Sequence, residues 1–225
     1  MKERFDFLIA GAGFSGLTVA QQLAERTGSR CLVVDRRDHL GGNSYDHHDA
    51  AGVLIHPYGP HYFRSNSRDV VAYLSRFTGW HEVKYRVLSY TDDRYWSFPV
   101  NLLTFEQLMG REATEEEFVH WLSEQRVPID APANSEEQVL SMVGRELYEK
   151  FYRGYTLKQW QRDPKELDAS VCARIPVRTN RDDRYLAESF QALPRDGYTA
   201  LFRKMLESVD PLVEVRLGTD YREVT

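Results

Sequence analysis

The six residues Gly11-Ala12-Gly13-Phe14-Ser15-Gly16 constrain the fold more than any other stretch, because their glycines meet separate backbone demands. Phe5-Asp6-Phe7-Leu8-Ile9-Ala10 before them is an apolar run of strand length, and residues 17–25 after them form a helical pattern. Cys31-Leu32-Val33-Val34 reads as a second strand, and it ends on Asp35, 19 positions beyond Gly16. Strand, glycine turn, helix, strand and acid in this order make the dinucleotide fingerprint of a parallel βαβ unit. Gly11 permits the tight turn, Gly13 lets the backbone approach a pyrophosphate, and Gly16 lets the helix pack closely on the strand. The pyrophosphate then meets the unpaired N–H groups and positive dipole end of the helix. Asp35 can accept two hydrogen bonds from a ribose diol, and its charge disfavours a 2′-phosphate, which argues against NADP. With nothing bound, the same residues are a tight turn in an α/β core.

A chain of 225 residues is long enough for one large domain or two small ones. Hydrophobic residues at 42% and charged residues at 28% describe a soluble globule, and a formal net charge of −5 argues against a nucleic-acid surface. Cys31 and Cys172 are far apart in sequence and form neither a disulfide framework nor a metal or redox pair. Met1-Lys2-Glu3-Arg4 runs straight into the first strand, leaving no room for a signal peptide, and no apolar run has the length of a membrane span. These observations lead to the expectation of a cytoplasmic protein with no membrane association.

Beyond Asp35 comes Arg36-Arg37-Asp38-His39-Leu40-Gly41-Gly42-Asn43-Ser44-Tyr45, where paired glycines followed by Asn and Ser can offer backbone N–H groups to a ligand. Tyr58-Gly59-Pro60-His61-Tyr62 is a rigid turn carrying a histidine, which without further context is a structural one. Asn66 is expected to cap a helix through Phe77, and residues 83–90 and 95–98 to form strands around an Asp92-Asp93 turn. Thr104, Thr114 and Ser135 each begin a capping-box pattern and predict three helix starts. Val139, Val143, Leu147 and Phe151 draw one buried helix face, and residues 128–135 read as a connector. Residues 199–207 read as a helix and 213–217 as an alternating strand. The fold expected is α/β: a Rossmann-like dinucleotide domain of residues 1–80 and 176–225, interrupted by a mainly helical insertion over 81–175.

The densest candidate site is Phe151-Tyr152-Arg153-Gly154-Tyr155-Thr156-Leu157-Lys158-Gln159-Trp160. As plain structure it is a helix terminus with Gly154 as its C-cap and core aromatics around it. As a site, it offers rings on which a base or sugar can stack.

The fingerprint, Gly41-Gly42-Asn43-Ser44-Tyr45, Tyr58-Gly59-Pro60-His61 and Gly154-Tyr155-Thr156-Leu157-Lys158-Gln159-Trp160 together resemble the UDP-galactopyranose mutases. Arg174-Ile175-Pro176-Val177-Arg178, Asp182-Asp183 with Tyr185, and Gly197-Tyr198-Thr199 follow in the family's order. The resemblance implies FAD, reduced for activity, held by Gly11, Gly13, Phe14, Ser15, Gly16, Asp35, Arg36, Gly42, Asn43, Ser44, His61 and Tyr62. It implies a UDP-galactose substrate contacted by Phe151, Tyr155, Thr156, Trp160 and Tyr185, and by Arg174 on a mobile loop at the diphosphate. Arg174 and His61 are the catalytic candidates. The implied reaction is an isomerisation between UDP-galactopyranose and UDP-galactofuranose through a sugar adduct at flavin N5, serving surface polysaccharide synthesis. Two departures stand out: Arg64 where the family has a second histidine, and Tyr85 where an asparagine is expected to touch the substrate. The family is also longer, so the resemblance implies a flavin domain incomplete at its C-terminus, with impaired flavin retention. A homodimer is left open. The rival readings are an amine-oxidase-like FAD oxidoreductase and a non-catalytic nucleotide-binding fragment.

Overall fold

The first structural consequence of the fingerprint is a β–α–β crossover between two parallel strands. A computed structural model describes residues 4–224; Met1, Lys2 and Glu3, expected to lead directly into the first strand, lie outside the described residues, as does Thr225. The chain opens with β1 (Phe7–Ala10), α1 (Phe14–Thr27), β2 (Cys31–Val34), β3 (His47–His48), β4 (Leu54–Ile55), β5 (Phe63–Ser65), α2 (Arg68–Leu74) and β6 (Trp80–Glu82). Next come β7 (Val87–Thr91), β8 (Arg94–Phe98), α3 (Leu102–Met109), α4 (Glu115–Gln125) and α5 (Ser135–Leu147). A π-helical stretch, Tyr148–Arg153, leads into α6 (Gly154–Trp160) and then α7 (Ser170–Ala173). The chain closes on β9 (Phe190–Pro194), α8 (Tyr198–Glu207) and β10 (Val213–Arg216).

Two compact units result, one of Met1–Val83 with Glu188–Thr225 and one of Lys84–Ala187. The first is α/β and Rossmann-like. Its parallel sheet runs β1-β2-β10, with Phe7 and Val213 both in register with Cys31. The return of the chain as β10 therefore makes β2 the central strand, and all four of its residues are buried. Ala12, Leu17 and Ala20 pack with Tyr198, Leu201, Phe202 and Met205 to form the core beside it. A second sheet in this unit, β5-β9-β6, is antiparallel.

The other unit is mainly helical, with one hairpin. Asp92 and Asp93 take positive φ at the β7–β8 turn, as a two-residue hairpin loop requires. The core gathers Trp96 and Phe98 from β8, Phe105, Phe118 and Leu122 from α3 and α4, and Val139, Val143, Leu147 and Phe151. The expected 175/176 boundary falls twelve residues before the observed division at 187/188. The reason is Arg178, whose guanidinium donates to the carbonyls of Arg184 at 2.5 Å and Asp182 at 3.5 Å while its own N–H reaches Val100. Residues 176–187 are thereby stitched to the helical core.

Several caps differ from expectation. Ser67, not Asn66, caps α2, and Asn66 instead accepts a bond from the Ser189 N–H. Asn101 caps α3, with Thr104 completing its box, and Asn134 caps α5; asparagine's short amide reaches the free N–H groups better than the Thr104 and Ser135 starts chosen on pattern. Thr114 and Glu117 form the reciprocal box expected at α4. The predicted 83–90 strand forms only from Val87, as β7, and residues 80–82 before it form β6 in the other unit. Gly154 is helical at φ −64 and caps nothing; the left-handed cap is Gln161.

Candidate functional site

In the α/β unit, the glycine turn is shaped by main-chain crowding. Gly11 has φ +107, and its N–H donates to Val34. A Cβ on Gly16 would stand 1.9 Å from the Gly11 carbonyl oxygen, so only glycine lets α1 begin this close to β1. α1 has no side-chain cap and no acid in its first turn, which leaves its N-terminal amides and positive dipole end available to an anion. The second glycine loop comes to the same place: Gly41 N–H donates to Ala12, and a Cβ on Gly42 would lie 3.3 Å from the Gly13 Cα. Gly42, Asn43 and Ser44 form a single helical turn there.

Asp35 braces this cradle. Its Oδ2 accepts the Ala12 N–H at 2.8 Å and its Oδ1 the Arg37 N–H at 2.9 Å, which still leaves each oxygen a lone pair. Beside it opens a cavity of about 480 Å³ lined by Gly11, Asp35, Arg36, Thr219, Tyr221 and Arg222, among others. The wall from Thr219 to Arg222 was missed by sequence reasoning, since it follows β10 and carries no motif. Asp220 pairs with Arg222 through both carboxylate oxygens, and this bond, with the Arg222 N–H and the Arg36 charge, holds its carboxyl far below the usual range. The cavity thus sets two arginines against two carboxylates.

His61 stands in its turn with Nδ1 2.7 Å from the Gly59 carbonyl. A carbonyl only accepts, so Nδ1 carries a proton and the neutral ring presents Nε2 as an acceptor. Tyr198 donates to the His61 carbonyl at 2.5 Å and places its ring edge 5.6 Å from Phe14. The predicted residues at 11–16, 35–36 and 42–44 are therefore brought together, His61 is joined to them through Tyr198, and Tyr62 beside it is half-buried.

In the helical unit, the signature residues divide into two sets. Phe151 is 4% exposed and packs against Trp96 and Phe98, so its ring belongs to the core. Thr156 is also buried, with Oγ1 3.8 Å from Cys172 Sγ. Tyr155 at 53% and Trp160 at 43% exposure are the two that α6 presents outward. Tyr185 is half-buried, edge-on to Tyr85 at 5.7 Å, and its N–H donates to the Tyr85 carbonyl. The Thr156–Cys172 contact sets α6 alongside α7, at whose end Arg174 stands exposed.

Arginine usage around Arg174 is selective. Arg178 binds backbone carbonyls, Arg181 pairs with Glu106, Arg184 with Asp182 and Arg86 with Asp183. Among the described residues Arg174 has no ion-pair partner, which leaves its guanidinium fork open to a ligand phosphate. No cluster suited to a metal ion occurs among the described residues, and no described helix is long and apolar enough to cross a membrane.

Residues 9–77 match an NAD(P)-binding Rossmann-like domain, and residues 150–225, which contain α6 and Arg174, match the UDP-galactopyranose mutase family. The chain is similar to a portion of the UDP-galactopyranose mutases. It is 39% identical over 213 residues to a probable UDP-galactopyranose mutase of Klebsiella pneumoniae, covering 94% of this chain and 55% of that protein. It is also 39% identical to the dTDP-fucopyranose mutase of Escherichia coli, covering 97% of this chain and 58% of that one. The chain therefore spans about half the length of the curated relatives it matches. Its fold is similar to a crystal structure of reduced UDP-galactopyranose mutase, with TM-score 0.68 at 22% identity, over 95% of this chain and 49% of that one. A putrescine oxidase shares the fold more distantly, with TM-score 0.52 at 15% identity, over 94% and 50% of the two chains.

Proposed function

We propose that the chain carries the FAD cradle and a nucleotide-sugar-binding unit of a flavin-dependent isomerase interconverting UDP-galactopyranose and UDP-galactofuranose. The observation that carries this reading is Arg174, without an ionic partner among the described residues, held beside the signature helix within the stretch that matches the mutase family. The uncapped start of α1, the Gly13–Gly42 approach and the Asp35 cavity fit the cofactor. In this reading Gly11, Gly13, Phe14, Ser15 and Gly16 receive the pyrophosphate, and Asp35 and Arg36 the adenosine. Gly42, Asn43, Ser44, His61 and Tyr62 lie toward the flavin.

When bound and reduced, FAD supplies a reversible nucleophile for the anomeric carbon, with no net redox change. The chain's own residues bind, orient and neutralise. Charge builds on the diphosphate as UDP departs, and the Arg174 guanidinium is the group suited to stabilise it. Tyr155 and Trp160 offer open ring faces to the base and sugar. Phe151 and Thr156 are buried in the same unit, and Tyr185 would line the site with Tyr85 against it. dTDP-fucose is the competing substrate that the Escherichia coli relative brings in, and Tyr85 is the residue placed to sort the two.

The test is equilibrium titration of the chain with FAD, followed by flavin fluorescence, and with UDP, followed by tryptophan fluorescence, before a reduced-flavin assay on UDP-galactopyranose. Arg174→Ala is expected to weaken UDP about 10-fold, the loss of a charge-assisted pair to phosphate. Unchanged UDP affinity would remove Arg174 from the site, and net consumption of reductant per sugar turned over would replace the isomerase with an oxidoreductase.

A further inference from the structure

Asp46 follows the Gly42–Ser44 turn and reads in sequence as one more loop acid, yet it is 2% exposed. Four hydrogen bonds join it to the first turn of α8, more than 150 residues away. Its Oδ2 accepts the Tyr198 N–H at 2.5 Å and its Oδ1 the Thr199 N–H at 2.8 Å. Its carbonyl accepts the Thr199 hydroxyl at 2.7 Å, and its N–H reaches the same hydroxyl oxygen at 3.3 Å. The residue preceding α8 is Gly197, at φ 87 and with no side chain to cap the helix; a Cβ there would lie 2.7 Å from Asp46 Oδ2. Glycine at 197 thus makes room for a carboxylate delivered from another part of the chain.

An ordinary cap would end there, but this one carries two rings into the cradle. Tyr198 donates to the His61 carbonyl and sets its edge against Phe14. Phe202, one turn further along α8, packs on Phe14 at 4.7 Å and stands so close to Gly41 that a Cβ there would be 3.1 Å from its Cε2. The loop that begins at Gly41 leads back to Asp46 itself. The loop, the helix start and the histidine turn therefore close a ring of contacts with the carboxylate as its clasp.

We propose that Asp46 is a positioning residue for the dinucleotide: its carboxylate fixes α8 so that Tyr198 and Phe202, packed on Phe14, hold residues 41–45 and the His61 turn in one arrangement. The inference rests on the reading of this unit as the FAD site, with residues 42–44 and 61–62 toward the flavin. It assigns no such role over the Asp35 cavity, whose walls come from β1, β2 and the segment after β10.

Two variants separate positioning from simple capping. Asp46→Asn keeps the shape but removes the charge and one acceptor, and Tyr198→Phe keeps the ring and removes only the hydroxyl. Amide hydrogen exchange of the chain without ligand should rise in Asp46→Asn at residues 41–45 and 61–63 as well as 198–199, while β2 stays protected. In Tyr198→Phe it should rise at residues 61–63 alone. Faster exchange confined to residues 198–199 would make Asp46 a helix cap and overturn the proposal. In equilibrium titrations, Asp46→Asn should raise the Kd for FAD about 10-fold and that for ADP less than about 2-fold, the scale expected for hydrogen bonds to a charged group. Equal weakening of both ligands would also overturn it. An unsubstituted chain that binds ADP but not FAD would instead remove the FAD reading, with the exchange pattern still deciding the role of Asp46.

Discussion

On the proposed function, the two units hold a surface open for a ligand by opposite means. The α/β unit does it with backbone: Gly16 and Gly42 let main-chain atoms approach until no Cβ fits at Gly16, and the groups left open at the start of α1 are amides. The helical unit does it with side chains: it has a core of aromatic rings from β8, α3, α4 and the π-helical stretch, and its helix α6 leaves Tyr155 and Trp160 exposed. Backbone sites tolerate almost no substitution at their glycines, whereas a side-chain platform depends on the volume beneath it.

Removing that volume should give the largest effect. Phe118 is fully buried and stacks on Phe105 at 4.8 Å, so Phe118→Ala is expected to cost about 3–5 kcal/mol in urea unfolding. UDP affinity should fall while ADP affinity of the remaining folded protein holds; loss of both would break the contrast. Gly16→Ala is the converse. Forcing a methyl against the Gly11 carbonyl should cost about 1–3 kcal/mol, yet abolish ADP binding because the turn itself must move. Retained ADP affinity would mean that the cradle is more plastic than its geometry implies.

The smallest effect is electrostatic. Arg184 holds both carboxylate oxygens of Asp182, and with the Arg184 N–H and the Arg178 charge it brings that carboxyl down to about 2 from the ordinary 3.8. A depressed folded-state value stabilises above the unfolded one, so this contribution is complete above about pH 4 and is lost as pH falls toward 2. The stability advantage of the unsubstituted chain over Asp182→Asn should therefore shrink across that window, measured by unfolding at pH 5 and at pH 2.5. A constant advantage would show that the Asp182–Arg184 pair does not stabilise the fold.

What was legible in the sequence follows the same division. The strand–glycine–helix–strand–acid unit could be read because its backbone demands leave only glycine at fixed positions, and the structure has β1, α1 and β2 where the pattern put them. Thr114 was legible as a cap because both halves of its reciprocal box are present. Thr104 and Ser135 misled because an asparagine nearby captures the same amides first. Gly154 resembled a helix end, but the π-helical stretch before it carries the chain on without a break. Asp46 and the wall from Thr219 to Arg222 were invisible for another reason: their partners are distant in sequence, and no local spacing records them.

β1 and β2 carry similar apolar residues, but only β2 has a neighbour on each side. On β1, Phe7 and Leu8 are nearly half exposed, along a strand whose outer N–H and C=O groups have no sheet partner among the described residues. Such an edge is a template for any extended segment, including β1 of another molecule. For the 225-residue chain in a concentrated solution this turns into a colloidal property: turbidity and oligomer size should grow with protein concentration, and Leu8→Lys should suppress that growth by placing a charge where a second strand would lie.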